Sequence, residues 1–326
     1  MTEETIAELD GDWSEFSEAE RLALGFARRL TREPHLLAPA DIDELRKHFS
    51  ELQILEIAFS VGINNYATRW KEAIGIPQEP DATRMLTFLG DRAVPTDRPL
   101  PIKSFLTPTS DKHIGRRSSL APPPVDPKAS GSPPAPRFRP RLESREATER
   151  ALAECRVREP AVGLVDEDQA RALLPSDSFA EPLPHWVRLL ANFPRDGKNR
   201  ILAIKAIEDG GDLTPLLKAQ VSWVAAREDR AWYALGRAQR KLRALGQSDD
   251  EIYKLDGPWD GFPSRERATF AFARKLTANP ELLTDADVAR VCRSLGDRDT
   301  VQLISFLTCD IAFFNRVTEV ARLPLQ

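Results

Sequence analysis

The sequence has little cysteine, and its three thiols are far apart. Among 326 residues the cysteines are Cys155, Cys292 and Cys309, and no two of them have the short spacing of a zinc or redox motif. Neither a disulfide framework nor a zinc site is therefore indicated. We expect Cys292 and Cys309 to be buried free thiols, and we expect no metal or cofactor.

Long apolar runs and an excess of positive charge are also missing. No window approaches the roughly 18 consecutive apolar residues that a membrane-spanning helix requires, and residues 1–10 are acidic without an apolar run. We therefore expect a cytoplasmic protein that does not enter a membrane. The formal net charge is −4, whereas nucleic-acid-binding domains carry a basic stripe, so nucleic acid is not an expected partner.

Strand-like alternation with hairpin turns is absent from the sequence, which predicts an all-α fold. Leu22, Phe26 and Leu30 are spaced four apart and share one helix face. A long helix is predicted over residues 51–74, ended by a Gly-Ile-Pro sequence. Thr214, followed by proline, predicts another helix start, because threonine caps helices and proline suits the first helical position.

The end of the chain repeats its beginning. The offset between matching residues is 246 in the first helix (272 − 26) and 247 at the matching arginines (316 − 69), so one residue is inserted between them. The matched pairs include Leu9 with Leu255, Trp13 with Trp259, Phe26 with Phe272, Leu30 with Leu276, and Arg69 with Arg316. We interpret the two stretches as copies of one helical unit.

Composition changes between residues 95 and 140, which hold twelve of the 26 prolines. Such a segment cannot bury enough apolar surface to offset chain entropy, so we interpret it as an extended or disordered linker. The predicted organisation is a partial repeat at 1–88, a proline-rich linker at 89–141, a helical lead-in at 142–179 and a complete domain at 180–326.

A central helical segment is predicted from Leu216 to Gly246. At about 100° per residue, its apolar side chains form one stripe, which comprises Val224, Ala231, Leu235, Ala238, Leu242 and Leu245. A separate polar face comprises Arg230, Tyr233, Arg237 and Lys241. We expect Asp229 to cap a helix restart that places Arg230 in its first turn.

Several stretches share helix order and spacing with a known family. They are the run Leu216 to Arg237, Leu245-Gly246, Asp249 to Ile252, the block Glu266 to Thr277, and Asn315-Arg316 before Leu323-Pro324. Together they resemble the carboxymuconolactone decarboxylase and alkylhydroperoxidase-like superfamily. The resemblance covers about residues 180–326 as one complete helical domain and residues 1–80 as the rear half of a second.

The chemistry that the resemblance implies does not transfer. Peroxidase members carry Cys-x-x-Cys followed by x-x-x-His, and these positions fall on Arg230, Tyr233 and Arg237. The family's glutamate falls near Lys218. Arginine stays protonated and tyrosine is no peroxidatic nucleophile, so the thiol mechanism is absent.

Two classes of function remain open. Arg230, Tyr233 and Arg237 would suit a small anionic organic acid, which the resemblance associates with the cysteine-free decarboxylase branch. In the other interpretation they form a solvated basic face, and the protein is a non-catalytic scaffold or oligomerisation module. Trp223 and Trp232 are interpreted as core residues rather than as the lining of a pocket.

A rear half that lacks its front helices would expose an apolar face. We therefore expect residues 1–80 to dock on the complete domain, or on another copy of the chain. The repeat is already under way at Thr2, so a longer natural N-terminus is an alternative explanation for the missing helices.

The arginines between Arg227 and Arg243 have carboxylates nearby and are not interpreted as phosphate contacts.

Overall fold

The computed structural model describes residues 13–75, 141–176 and 178–326, together with Leu9 and Arg139. These residues form helices and no strand, which confirms the predicted all-α fold. The predicted linker at 89–141 lies outside the described residues apart from Arg139 and Arg141.

The helices of the described residues are numbered in chain order. They are α1 Glu18–Arg32, α2 Pro39–Leu45, α3 Glu51–Ile74, α4 Arg145–Val157, α5 Glu167–Ala172, α6 His185–Leu190, α7 Asp196–Asp209, α8 Pro215–Asp229, α9 Trp232–Ala244, α10 Asp249–Tyr253, α11 Ser264–Ala278, α12 Asp285–Leu295, α13 Asp297–Ser305 and α14 Phe313–Val320. A π-helical segment, Phe306–Ala312, joins α13 to α14. None of the described helices is both long and apolar enough to cross a membrane.

Local capping explains where the helices begin and end. The hydroxyl of Thr214 accepts a hydrogen bond from the Leu217 N–H at 3.2 Å, and proline follows as the first residue of α8. Ser50 forms a capping box with Gln53 at the start of α3. Gly75 ends α3 in the left-handed conformation, with φ 72°. The predicted bounds of this helix are confirmed.

Helix α8 lies at the centre of the larger core. Twelve of its fifteen residues are buried, so it is covered on all sides, and it packs against α9 and α11. Trp223 is fully buried and meets the Tyr253 ring edge-on at 5.3 Å, as a core residue should. The predicted stripe is wrong at Leu245, which is exposed because it lies just beyond the end of α9.

Two stretches of the chain contain the same order of helices. Helices α1 and α11 begin 246 residues apart (264 − 18), and so do α3 and α13 (297 − 51). The Trp13 indole donates to the Leu9 carbonyl at 2.9 Å, and the Trp259 indole donates to the Leu255 carbonyl at 2.8 Å. The π-helical segment lies where the sequence offset grows from 246 to 247. A π-helical turn accommodates one extra residue.

Arginines from the two stretches contact each other's helix ends. Arg69 of α3 donates to the carbonyls of Leu276 (3.1 Å) and Thr277 (2.9 Å) in the last turn of α11. Arg316 of α14 donates in the same way to the carbonyls of Leu30 (2.9 Å) and Thr31 (3.2 Å) in α1. Carbonyls of a last helical turn have no partner within the helix, and a cation is favoured there. These contacts join α3 to α11 and α14 to α1, so each arginine links one stretch to the other.

Candidate functional site

The predicted helix restart at Asp229 is wrong. Arg230 adopts the left-handed conformation, with φ 53°, at the C-terminal end of α8, and α9 begins only at Trp232. The Asp229 carboxylate caps no helix; it accepts a hydrogen bond from the Asn315 side chain at 2.9 Å. The prediction treated residues 216–246 as one continuous helix, but the helix is interrupted at Arg230 and Ala231. The three predicted site residues therefore do not share one face.

Tyr233 does not belong to a polar face. It is 1 % exposed, and its ring lies against Phe314 with 5.9 Å between the ring centroids. Burial raises the pKa of its phenol, so the group remains neutral at ordinary pH. Tyr233 is therefore a packing residue, and its backbone N–H donates to Glu319 at 2.9 Å.

Arg237 and Lys241 form an ionic cluster with Glu208, in which Arg237 is mostly buried and Lys241 is half-exposed. The Arg237 guanidinium donates to both Glu208 oxygens, at 3.0 and 3.2 Å, and the Lys241 ammonium lies 3.2 Å from the same carboxylate. The guanidinium also stacks over the Phe314 ring at 4.6 Å. Burial alone would raise the pKa of Glu208, but Arg237 and Lys241 hold it below its usual value.

Asp310 is the second carboxyl group of this cluster. It is 3 % exposed. Burial and the nearby charge of Glu208 raise its pKa to about 7, although Arg237 and Lys241 oppose the shift. Near neutral pH Asp310 is therefore partly protonated, while Glu208 is ionised.

A small cavity of ≈ 20 Å³ lies beside these groups. Its lining includes Glu208, Arg237, Lys241 and Asp310. This volume holds about one water molecule. Asp310 reaches the cavity from the π-helical segment, and such insertions are frequent at functional sites. We call this set of four residues and their cavity the carboxylate-pair site.

Asp310 is not among the site residues predicted from the sequence, because it lies in the apolar run from Leu303 to Phe314. The available signal was an isolated acidic residue within a helix that is otherwise apolar. A carboxyl group in such a run is expected to be buried, and burying an ionised carboxylate is costly. Residues of this kind occur preferentially at functional sites.

Lys218, which lies near the position that the resemblance gives to a glutamate, has a structural role. Its ammonium group donates to the carbonyls of Ile207 and Glu208 at 3.0 Å, at the end of α7.

Cys155 and Cys309 are buried free thiols, whereas Cys292 is only half-buried. Burial raises the pKa of Cys155 to about 11 and also raises that of Cys309. Neither is therefore an activated nucleophile. In the described ranges no cluster of three or more histidine, cysteine or acidic residues could hold a metal ion.

Arg230 lies outside the carboxylate-pair site. It lines a separate cavity of ≈ 410 Å³, together with Trp232. Trp232 is half-buried: it packs against the larger core and also lines this cavity. The structure therefore divides the predicted set into a buried residue, Tyr233, and two arginines in different cavities.

No family model matches the sequence, and no curated protein or solved structure matches it either. The resemblance to the carboxymuconolactone decarboxylase and alkylhydroperoxidase-like superfamily therefore stays a prediction. The function has to be inferred from the geometry of the site itself.

Proposed function

We propose that the protein carries out acid–base chemistry on a small organic acid at the carboxylate-pair site. The observation that carries the proposal is that two buried carboxyl groups with opposite pKa shifts, Asp310 and Glu208, line one cavity with two cations. Enzymes assign the roles of acid and permanent anion to such pairs through their surroundings.

The environments of the four residues give each a role. Asp310 has a pKa of about 7, which suits a group that both donates and accepts a proton near neutral pH. Glu208 stays ionised and holds Arg237 in place through two hydrogen bonds. Lys241 has a side chain that is 47 % exposed, so it presents positive charge to solvent at the rim. An anionic substrate would be attracted to it.

The size of the cavity sets a condition on binding. A cavity that holds about one water molecule admits an organic acid only after a rim residue moves. Lys241 is the group that can move, because its half-exposed side chain is held by Glu208 alone among the described residues. The substrate carboxylate would replace Glu208 as the partner of the Lys241 ammonium.

We also propose that the chain is a member of the carboxymuconolactone decarboxylase and alkylhydroperoxidase-like superfamily that lacks the Cys-x-x-Cys motif. Its support is the helix order of the described residues and the position of Arg237. This residue falls where the resemblance puts the family's proton-relay histidine, and it lines the cavity beside Asp310. In this proposal the carboxyl pair replaces the thiol pair.

A screen of small oxo acids and unsaturated lactone acids tests the function. Turnover and exchange of substrate protons with D2O are measured by NMR for the wild type and for Asp310→Asn. We expect the variant to lose about 100-fold in rate, which is the usual contribution of one general acid–base group. Asp209→Asn is the matched control, because Asp209 is a mostly exposed neighbour of Glu208. An Asp310→Asn variant with the wild-type rate would refute the proposal.

A non-catalytic scaffold is the second candidate. It is favoured by the reciprocal arginine contacts, from α3 to the end of α11 and from α14 to the end of α1. We propose that the stretches 13–75 and 259–321 are copies of one unit that pack against each other within the chain. No turnover of any acid in the screen, by the wild type, would favour this candidate.

The packing of the two stretches has its own test. Replacing Arg69 with leucine leaves the carbonyls of Leu276 and Thr277 without their donor, so we expect a loss of about 2 kcal/mol in the free energy of unfolding. Urea denaturation measures it. Arg29→Leu, which removes a half-exposed ion pair, should cost less than about 1 kcal/mol. Equal effects of the two variants would contradict the proposed packing.

A further inference from the structure

The larger cavity around Arg230 is a second place where the chain has room for a ligand. Its volume of ≈ 410 Å³ falls within the range of small-molecule pockets. Residues 34–42 form one wall. The other walls are α4, the start of α9 and the chain just after α14. None of these residues belongs to the carboxylate-pair site.

Positive charge exceeds negative charge around this cavity. Three arginines line it, against two glutamates. Arg158 and Glu319 neutralise each other through two hydrogen bonds of 3.0 and 3.1 Å. Arg322 has no carboxylate within ion-pair distance in the described ranges of the chain. Its guanidinium is therefore available to an anion.

The partner of Arg230 is shared with other cations. The Arg230 guanidinium lies 3.1 Å from Glu143, and the same carboxylate also accepts from Arg139 and from Arg227. One carboxylate thus serves three guanidinium groups, and Arg230, whose side chain is 44 % exposed, is the most accessible of them. The charge of Arg230 is only partly neutralised.

His35 is a neutral hydrogen-bonding group in the wall of this cavity. Burial lowers the pKa of its imidazole, and the charges of Arg139 and Arg230 lower it further, although Asp229 and Glu33 oppose them. The neutral ring therefore adds a hydrogen-bonding group to the pocket without adding charge. The Arg230 guanidinium donates to the His35 carbonyl at 3.3 Å, which holds it beside the cavity.

Another part of the wall is apolar. Leu37, Ile42 and Ala151 line it together with the Trp232 ring. The Arg230 guanidinium lies 5.7 Å from the centre of that ring. A ligand that fits must therefore combine one anionic group with an apolar body. A phosphate or sulfate ion has no apolar group that could pack against these side chains.

We propose that this pocket binds a monocarboxylic organic acid, with its carboxylate at Arg230 and Arg322 and its apolar body along Leu37, Ile42 and Trp232. The site goes beyond the proposed acid–base function, because it shares no residue with the carboxylate-pair site. Binding relies on the charge of the ligand and on two arginines that the fold leaves incompletely paired.

Isothermal titration with phenylacetate tests the proposal. We expect the wild-type protein to bind phenylacetate about ten-fold more tightly than the uncharged 2-phenylethanol, because one charge-assisted hydrogen bond corresponds to that ratio. Arg322→Gln should lose the same factor. The matched control is Arg298→Gln, since Arg298 is an exposed arginine paired with Asp212 outside this pocket.

Two further arms decide between outcomes. Asp310→Asn should bind phenylacetate as the wild type does, so a failure of the acid–base proposal leaves this result unchanged. No phenylacetate binding at millimolar concentration would overturn the pocket proposal. Equal affinity in the wild type and in both Arg322→Gln and Arg230→Gln would overturn it as well, because the ligand would then bind elsewhere.

Discussion

Replacing Arg227 with methionine is expected to lower the free energy of unfolding by about 3–5 kcal/mol. Arg227 is 1 % exposed, and its five N–H groups all donate: two to Asp256 (3.0 Å each), one to the Glu143 carboxylate (3.1 Å), one to the Glu143 carbonyl (2.7 Å) and one to Thr148 (2.8 Å). The variant leaves two part-buried carboxylates without their shared cation, and urea denaturation at pH 7 measures the loss.

The control for this prediction is another arginine paired with an aspartate. Arg243 lies on α9 with its side chain half-exposed and pairs with Asp249 at 2.7 Å. Its replacement by methionine should change the free energy of unfolding by less than about 1 kcal/mol, because surface ion pairs contribute little. If Arg227→Met unfolded at the same urea concentration as Arg243→Met, the buried network would not hold the core together.

The helices were predictable because their signals are local. Thr214 with Pro215 marks the start of α8, and Ser50 and Gly75 mark both ends of α3. In each case one residue supplies the capping group or the left-handed conformation that the helix end needs. Such signals act within four residues and can be read without knowledge of the tertiary fold.

The candidate site was only partly predictable. Arg237 was predicted as a site residue and lines the cavity, but its partners Glu208 and Asp310 come from α7 and the π-helical segment, far away in sequence. The left-handed conformation of Arg230 has no local signal, because any non-glycine residue there is uncommon. The projection of one continuous helix across Arg230 therefore grouped side chains that the fold separates.

Replacing Asp310 with asparagine is expected to make the protein more stable at pH 8 and to flatten the dependence of its stability on pH. Between the usual value of 3.8 and its own value of about 7, folded Asp310 keeps a proton that the unfolded chain releases. The free energy of unfolding therefore falls as the pH rises through this range. Asparagine removes this dependence, and we expect a gain of up to about 4 kcal/mol at pH 8, and little change at pH 4.

Glu208→Gln should have the opposite effect. The folded pKa of Glu208 is lowered, so its contribution to stability is present at neutral pH and is lost as the pH falls. Removing its charge deprives Arg237 of the carboxylate that accepts its two hydrogen bonds, at a cost of about 3 kcal/mol at pH 8. Urea denaturation at pH 4 and pH 8 measures both variants, with Asp209→Asn as the common control.

The two variants are expected to change the free energy of unfolding in opposite directions, although both carboxyl groups line one cavity. This difference would distinguish a residue kept for function from one kept for packing. A group kept only for stability should cost stability when it is replaced, as Glu208→Gln does. Asp310 is expected to do the reverse, and a residue that lowers stability is retained where activity requires it. An Asp310→Asn variant with the wild-type slope between pH 4 and pH 7 would show that its carboxyl group is solvated or paired. The reason for assigning it a proton-transfer role would then be lost.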